Sequence, residues 1–179
     1  MAVTTLAWVL PRPRQINHYP GSYPQHFEKK LLEELGNPTI ILQPFGGMAE
    51  YGLRLDISLG ASPNILGDAH RLPFKDNSFD AVILDPPYDI HYSKRLYSTG
   101  KIKWSACVKE ASRVCKEGGY VVSYHMVSTP VPIHTLLVKR ILLETRLWHA
   151  ARIIHIHIKD TQAYHIKGTK LGKICKCLE

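Results

Sequence analysis

The chain has 179 residues and a mass of 20.3 kDa, with 45% apolar and 21% charged residues. That is enough to bury one compact core and too little for two independent domains. No apolar run approaches the ~20 residues of a membrane helix, and Met1 to Leu10 followed by Pro11-Arg12-Pro13-Arg14 is unlike a secretion signal, so the sequence reads as a soluble, cytoplasmic protein. The formal charge of +8 is unevenly spread: residues 1–90 carry 7 Lys and Arg against 10 Asp and Glu (net −3), and residues 91–179 carry 16 against 5 (net +11). A basic half of that size either is a solvated surface or favours a polyanionic partner, because each phosphate contact releases a condensed counterion. The four cysteines, Cys107, Cys115, Cys175 and Cys177, form no CxxC pair and read as reduced thiols rather than as disulfides or a zinc site.

In chain order, residues 1–24 hold Pro11, Pro13, Pro20, Pro24 and Gly21 and predict an extended, mostly irregular arm. Phe27, Leu31, Leu32 and Leu35 recur at helical spacing over residues 25–35, and Gly36-Asn37-Pro38 stops that helix. Thr39 to Leu42 reads as a short buried strand, Leu53 to Ile57 as a second, and Asn64 to Asp68 as a very short third. The turn Asn77-Ser78-Phe79-Asp80 launches Ala81-Val82-Ile83-Leu84, an apolar run of the kind found inside parallel sheets. A helix comes next over residues 104–116, closed by Gly118-Gly119, then a strand from Tyr120 to Tyr124, a helix over residues 136–143 and an alternating strand from Ala150 to Ile158. Alternating strands and helices predict an α/β fold with a mostly parallel central sheet. The expected organisation is an arm at 1–24, one domain at 25–160 and a basic tail at 161–179.

In open parallel sheets, ligands bind beyond the carboxyl ends of the strands. Phe45-Gly46-Gly47, Asp56 with Ile57, Asp68 with Ala69, and Asp85-Pro86-Pro87-Tyr88 all fall at such ends. Asp56 reads either as a strand-end cap or as the acceptor of both hydroxyls of a ribose. Asp85-Pro86-Pro87-Tyr88 carries the most information. Two prolines stiffen the turn and remove two amide donors, so it presents acceptors only: the Asp85 carboxylate and backbone carbonyls. Such a turn suits a heteroaromatic amine. Accepting both of its hydrogens localises the nitrogen lone pair and aims it at an electrophile, while Tyr88 stacks on the ring.

On these residues the sequence resembles the class I S-adenosylmethionine-dependent methyltransferases that act on exocyclic amines of nucleobases. The resemblance covers roughly residues 17–160. It rests on the run Ile65 to Asp80, on Asp85-Pro86-Pro87-Tyr88, and more loosely on His18-Tyr19-Pro20-Gly21-Ser22-Tyr23-Pro24. It implies a Rossmann-like fold and S-adenosylmethionine as cofactor. Asp56 becomes the ribose-binding acid, Asp68 with Ala69 the adenine contact, Tyr19 and Pro20 part of the motif that touches the cofactor methionine, and Asp85 with the Pro86 carbonyl the acceptors for the amine. The implied activity is methylation of adenine N6 in DNA, with RNA guanine N2, DNA cytosine N4 and a silent nucleic-acid-binding module as alternatives.

One departure concerns the first crossover. Only ten residues separate Gly46 from Asp56, where the family has a helix. The seven steps from Phe45 to Gly52 span about 23 Å when extended, just enough to retrace a strand of roughly 17 Å. The first crossover helix is therefore expected to be shortened or absent, and Gln43 stands where an acid or aromatic is common. Lys94, Arg95, Lys101 and Lys103, interleaved with His91, Tyr92, Tyr97 and Trp104, read as a nucleic-acid-facing lid or a solvated loop. Nucleic acid, DNA before RNA, is the expected partner, with a homodimer or partner protein open for target recognition. His155 and His157 share a strand face but lack a third ligand, so they read as surface or packing residues, and no metal is expected.

Overall fold

The computed structural model describes residues 3–13, 22–87, 102–146 and 150–162. Eight strands form one sheet: β1 (Thr4–Val9), β2 (Ile41–Pro44), β3 (Leu53–Asp56), β4 (Ile65–Leu66), β5 (Phe79–Leu84), β6 (Cys115–His125), β7 (Thr135–Glu144) and β8 (Arg152–Lys159), in the order β1-β7-β8-β6-β5-β2-β3-β4. Every neighbouring pair is parallel except those made by β8, which runs antiparallel to β6 and β7. Helix α1 (Phe27–Glu34) and helix α2 (Trp104–Val114) cover opposite faces. Phe27, Leu31 and Leu32 of α1 pack with Ile41, Ile83, Val122 and Ile154. On the other face Val108, Ala111 and Val114 of α2 pack with Leu42, Val82, Leu84 and Val121. This is the α/β, mostly parallel arrangement that the sequence predicts.

The short crossover is as expected: residues 45–52 contain turns and bends but no helix. β2 and β3 are nonetheless parallel neighbours, with Leu42 opposite Leu53. The chain turns sharply at Phe45, whose φ of 62° is left-handed, and doubles back against β2 itself. At Gly52 a Cβ would lie 2.8 Å from both the Cβ and the carbonyl oxygen of Ile41, and φ is +77°, so only glycine passes there.

Three expectations change. The arm is not irregular throughout, because Thr4–Val9 forms β1, parallel to β7 at the sheet edge. Trp8 belongs to the core at 5% exposure, edge-on to Phe27 with ring centroids 6.5 Å apart. Residues 136–143 form a strand, not a helix. Their apolar run fits both periods, but Arg140 to Glu144 alternate exposed and buried, and ladders to β1 on one side and β8 on the other decide the outcome. Finally, α2 ends at Val114, and Gly118-Gly119 fall within β6, where its register against β5 shifts.

His155 and His157 are buried rather than exposed, on the sheet face away from Ile154 and Ile156. Arg140 Nε donates to His155 Nε2 at 3.3 Å, and His157 Nδ1 lies 3.3 Å from the Thr135 hydroxyl. Burial, with the neighbouring His155, pushes the His157 imidazole down to about 4. The unfolded chain therefore binds a proton more readily than the folded one between about pH 6.5 and pH 4. The stability of neutral His157 is fully present above that window and lost as pH falls through it. Denaturant titrations should show a loss of about 3 kcal/mol across the window, and His157→Gln should flatten it.

Candidate functional site

Because β2, β3, β4 and β5 run parallel, their carboxyl ends share one edge, and the amino end of the antiparallel β8 meets them there. At the end of β2, Phe45-Gly46-Gly47 makes a close turn in which Gly46 N donates to Leu55 O at 3.2 Å and Ala49 N to Gly46 O at 2.8 Å. A Cβ on Gly46 would come within 2.7 Å of Gln43 O and 2.8 Å of Arg54 Cβ, so the turn lies flush against its neighbours. Arg54 fastens it: the guanidinium donates to Gly47 O at 3.0 Å, Ala61 O at 3.3 Å and Ser62 O at 3.0 Å.

At the end of β3, Asp56 is 9% exposed. Its carboxylate accepts Ser58 N at 2.9 Å, and the nearby amides of Gly47 and Ile57 also favour its charge. Burial raises its pKa against these three amides. A carboxylate has about four acceptor positions, so the Ser58 amide orients it and leaves capacity for a hydroxyl. Ile57 beside it is exposed. Beyond β4, Asp68 Oδ1 accepts from the His70 amide at 2.9 Å and lies 2.6 Å from His70 Nδ1. Burial works against its charge, but the His70 amide and ring hold the carboxyl below its usual range. Ala69 is buried.

At the end of β5 the half-buried Asp85 leads into Pro86 and Pro87. Burial raises its carboxyl to about 7, opposed by the charge of Arg152 at the start of β8. On the neighbouring strand, His125 ends β6 at 2% exposure, and Trp104 at the start of α2 meets it edge-on at 5.3 Å. Burial and Arg152 hold the His125 imidazole below its usual range.

The edge thus brings together Phe45, Gly46, Gly47, Asp56, Ile57, Asp68, Ala69, Asp85, Pro86 and Pro87. Lys103 is exposed just ahead of α2. Tyr19, Pro20, Tyr88, Lys94, Arg95 and Lys101 lie outside the described residues. Of the looser amino-terminal motif, Ser22, Tyr23 and Pro24 line a hollow of about 240 Å³ with Met48 and Tyr51, beside the glycine turn. Sequence reasoning missed Arg54, His70, His125 and Arg152. No short motif marks them, since each acts through strand pairing or a turn distant in sequence.

Residues 48–123 match the family described as a methyltransferase domain. No curated protein matches the chain by sequence. Among solved structures, TrmN from Thermus thermophilus aligns with a TM-score of 0.54 at 15% identity, over 78% of this chain and 50% of that one. The 1,6-didemethyltoxoflavin-N1-methyltransferase of Burkholderia thailandensis, solved with S-adenosylhomocysteine bound, aligns at 0.54 and 11% identity over 76% of this chain and 77% of its own. A Haloferax volcanii protein solved in complex with the Trm112 methyltransferase activator aligns at 0.52 and 11% identity over 75% and 89%. The chain spans half the length of the Thermus protein. The fold is that of the class I methyltransferases, and S-adenosylmethionine is the cofactor to which fold and domain match point. Among the described residues, no helix is long and apolar enough to cross a membrane.

The glycine turn flush against its neighbours and the oriented Asp56 carboxylate fit such a cofactor. The turn depends on Glu28 of α1, which accepts Gln43 Nε2 at 2.7 Å, Glu50 N at 2.8 Å and Tyr51 N at 3.3 Å. Glu28→Ala should leave buried donors unpaired, cost roughly 2 to 3 kcal/mol in a denaturant titration, and speed amide exchange at Glu50 and Tyr51.

Proposed function

We propose that this chain transfers a methyl group from S-adenosylmethionine to the exocyclic amine of a nucleobase, with adenine N6 in DNA as the first substrate to test. The observation that carries the reading is the placement of the acceptor-only turn Asp85-Pro86-Pro87 on the same sheet edge as the glycine turn and Asp56. In this reading Asp56 accepts a ribose hydroxyl, Asp68 and Ala69 contact the adenine, and Phe45, Gly46, Gly47 and Ile57 line the cofactor, with Tyr19 and Pro20 on its methionine side. The cofactor, when bound, supplies an electrophilic methyl group.

The chain's own part is orientation and proton handling. Asp85 and the Pro86 carbonyl accept the two amine hydrogens, Pro87 keeps the turn stiff, and Tyr88 stacks on the base. As the nitrogen gains its fourth substituent it sheds a proton, and the Asp85 carboxylate, with a pKa near neutrality, takes it up. Asp85 must be ionised to accept, so turnover should rise with pH through about 7 and level off above it. In labelled-methyl assays Asp85→Ala should lose turnover while keeping S-adenosylhomocysteine affinity. Asp56→Ala should instead lose affinity, by roughly 1 to 3 kcal/mol in calorimetry. Unchanged affinity in Asp56→Ala would remove that residue from the site, and near-normal turnover in Asp85→Ala would make the turn structural.

The partner in this reading is nucleic acid, held by the basic half through Lys94, Arg95, Lys101 and Lys103, with the target base swung out of its stack. A second protein or a second copy supplies sequence choice. Neutralising two of these lysine or arginine residues should reduce the slope of log affinity against log salt by about 2. Salt-independent binding would exclude this mode.

A further inference from the structure

Asp68 and the start of α2 are joined by one side chain, that of His70. Its Nε2 lies 2.9 Å from the backbone amide of Lys103, a group that can only donate. The ring proton is therefore on Nδ1, 2.6 Å from Asp68 Oδ1. Lys103 is the cap of α2, and its carbonyl accepts the first helical amides, Ala106 N at 2.9 Å and Cys107 N at 3.2 Å. We infer that His70 is a positioning residue that couples the Asp68 carboxylate to the first turn of α2, so that cofactor binding at Asp68 orders the element carrying Trp104 and following the Asp85 turn in the chain. The inference rests on the reading of Asp68 as the adenine contact.

Attachment of the segment after β4 to α2 does not require His70. Glu110 accepts Leu72 N at 2.9 Å, and Arg113 donates to Leu72 O at 3.0 Å and Phe74 O at 2.8 Å. These clamps hold backbone with side chains from within the helix, and touch neither Asp68 nor Lys103. His70 alone among them spans from a carboxylate at the sheet edge to the helix cap. The Asp68 side chain is 53% exposed, so a ligand that fixes its rotamer also fixes the ring hydrogen-bonded to it, and through the ring the Lys103 amide. Such coupling is reciprocal: whatever orders the start of α2 improves binding at Asp68 by the same factor.

The test uses two variants that separate the two halves of the link. Asparagine can still donate to Asp68 but cannot reach Lys103; alanine does neither. Amide hydrogen exchange at Lys103 and calorimetric affinity for S-adenosylhomocysteine are measured on the full chain, together with thermal midpoints. In the wild type, the ligand should slow exchange at Lys103 at least about fivefold. In His70→Asn the ligand-dependent protection should vanish and affinity should fall by about the same fivefold factor. His70→Ala should lose protection and about tenfold in affinity, and should cost no further affinity in an Asp68→Asn background. A purely structural His70 would lower the thermal midpoint and leave ligand-dependent protection in place, and that result in His70→Asn overturns the inference. Wild-type binding without protection at Lys103 overturns it as well, while leaving the cofactor reading intact. Failure of the wild type to bind at all overturns the cofactor reading and this inference with it.

Discussion

The site depends on one buried carboxylate, that of Glu28. Parallel neighbours are normally joined by a helical crossover, whose packing holds the returning chain against the sheet. Here β2 and β3 are joined by residues 45–52 alone, and the return path lies against β2. Side-chain hydrogen bonds replace the packing of a helix. Glu28 takes the amides of Glu50 and Tyr51 and the side chain of Gln43, whose amide also donates to Tyr51 O at 2.7 Å and whose oxygen accepts from Tyr23 at 3.2 Å. Burial raises the Glu28 pKa in spite of these donors, the mark of a charge kept in a costly place because several groups would be orphaned without it. Gln43, a departure from the family pattern in the sequence, is the residue this arrangement requires: an acid there could not donate to both Glu28 and Tyr51.

That strap holds the left-handed Phe45 and the close glycine turn in place. Strained backbone persists where its surroundings over-determine it, and here Arg54, Leu55 and Ala49 grip the turn from three sides. The turn brings the Gly47 amide near Asp56, where it favours the charged carboxylate against burial. On the other side of the edge α2 plays the equivalent part, with Glu110 and Arg113 clamping residues 72–76. Arg113 also reaches Asp76 at 2.7 Å. Positioning on this edge therefore comes from long side chains reaching across short loops.

The strands at the centre of the sheet were legible because burial on both faces leaves little choice: Ala81 to Leu84 is apolar throughout, and Asp85-Pro86-Pro87 ends it unambiguously. The missing crossover helix was legible too, from chain length and reach alone. Residues 136–143 were not, since Leu136, Leu137, Ile141 and Leu143 satisfy a helical period as well as a strand, and the deciding ladders come from β1 and β8, distant in sequence. β1 was hidden for the same reason, its prolines beginning only after the strand ends. In the site, residues announced by a motif were found, whereas those defined by reach across the fold were not. Nothing local in His70 says that its ring bridges Asp68 to a helix 33 positions on.

The two ends of β5 show the division of labour between structure and chemistry. Asp80, near its start, accepts Lys116 Nζ at 2.6 Å, Ile40 N at 2.8 Å and the Thr39 hydroxyl at 2.9 Å, and these partners lower its carboxyl to about 2. Its three partners tie the start of β2 and β6 to β5 at the amino edge. Asp85 comes directly after the last residue of the same strand, and there burial dominates, lifting the carboxyl to about 7 against the charge of Arg152. An acid whose partners lower its pKa adds stability at neutral pH, whereas one raised by burial subtracts from it. A fold that keeps the second kind gains nothing from it in stability. The same opposition separates the deeply lowered Asp80 from the raised Asp56 on β3. Asp80 is thus a partnered charge at the amino edge, whereas burial raises Asp56 and Asp85 at the carboxyl edge, the combination expected of groups kept for a ligand rather than for stability.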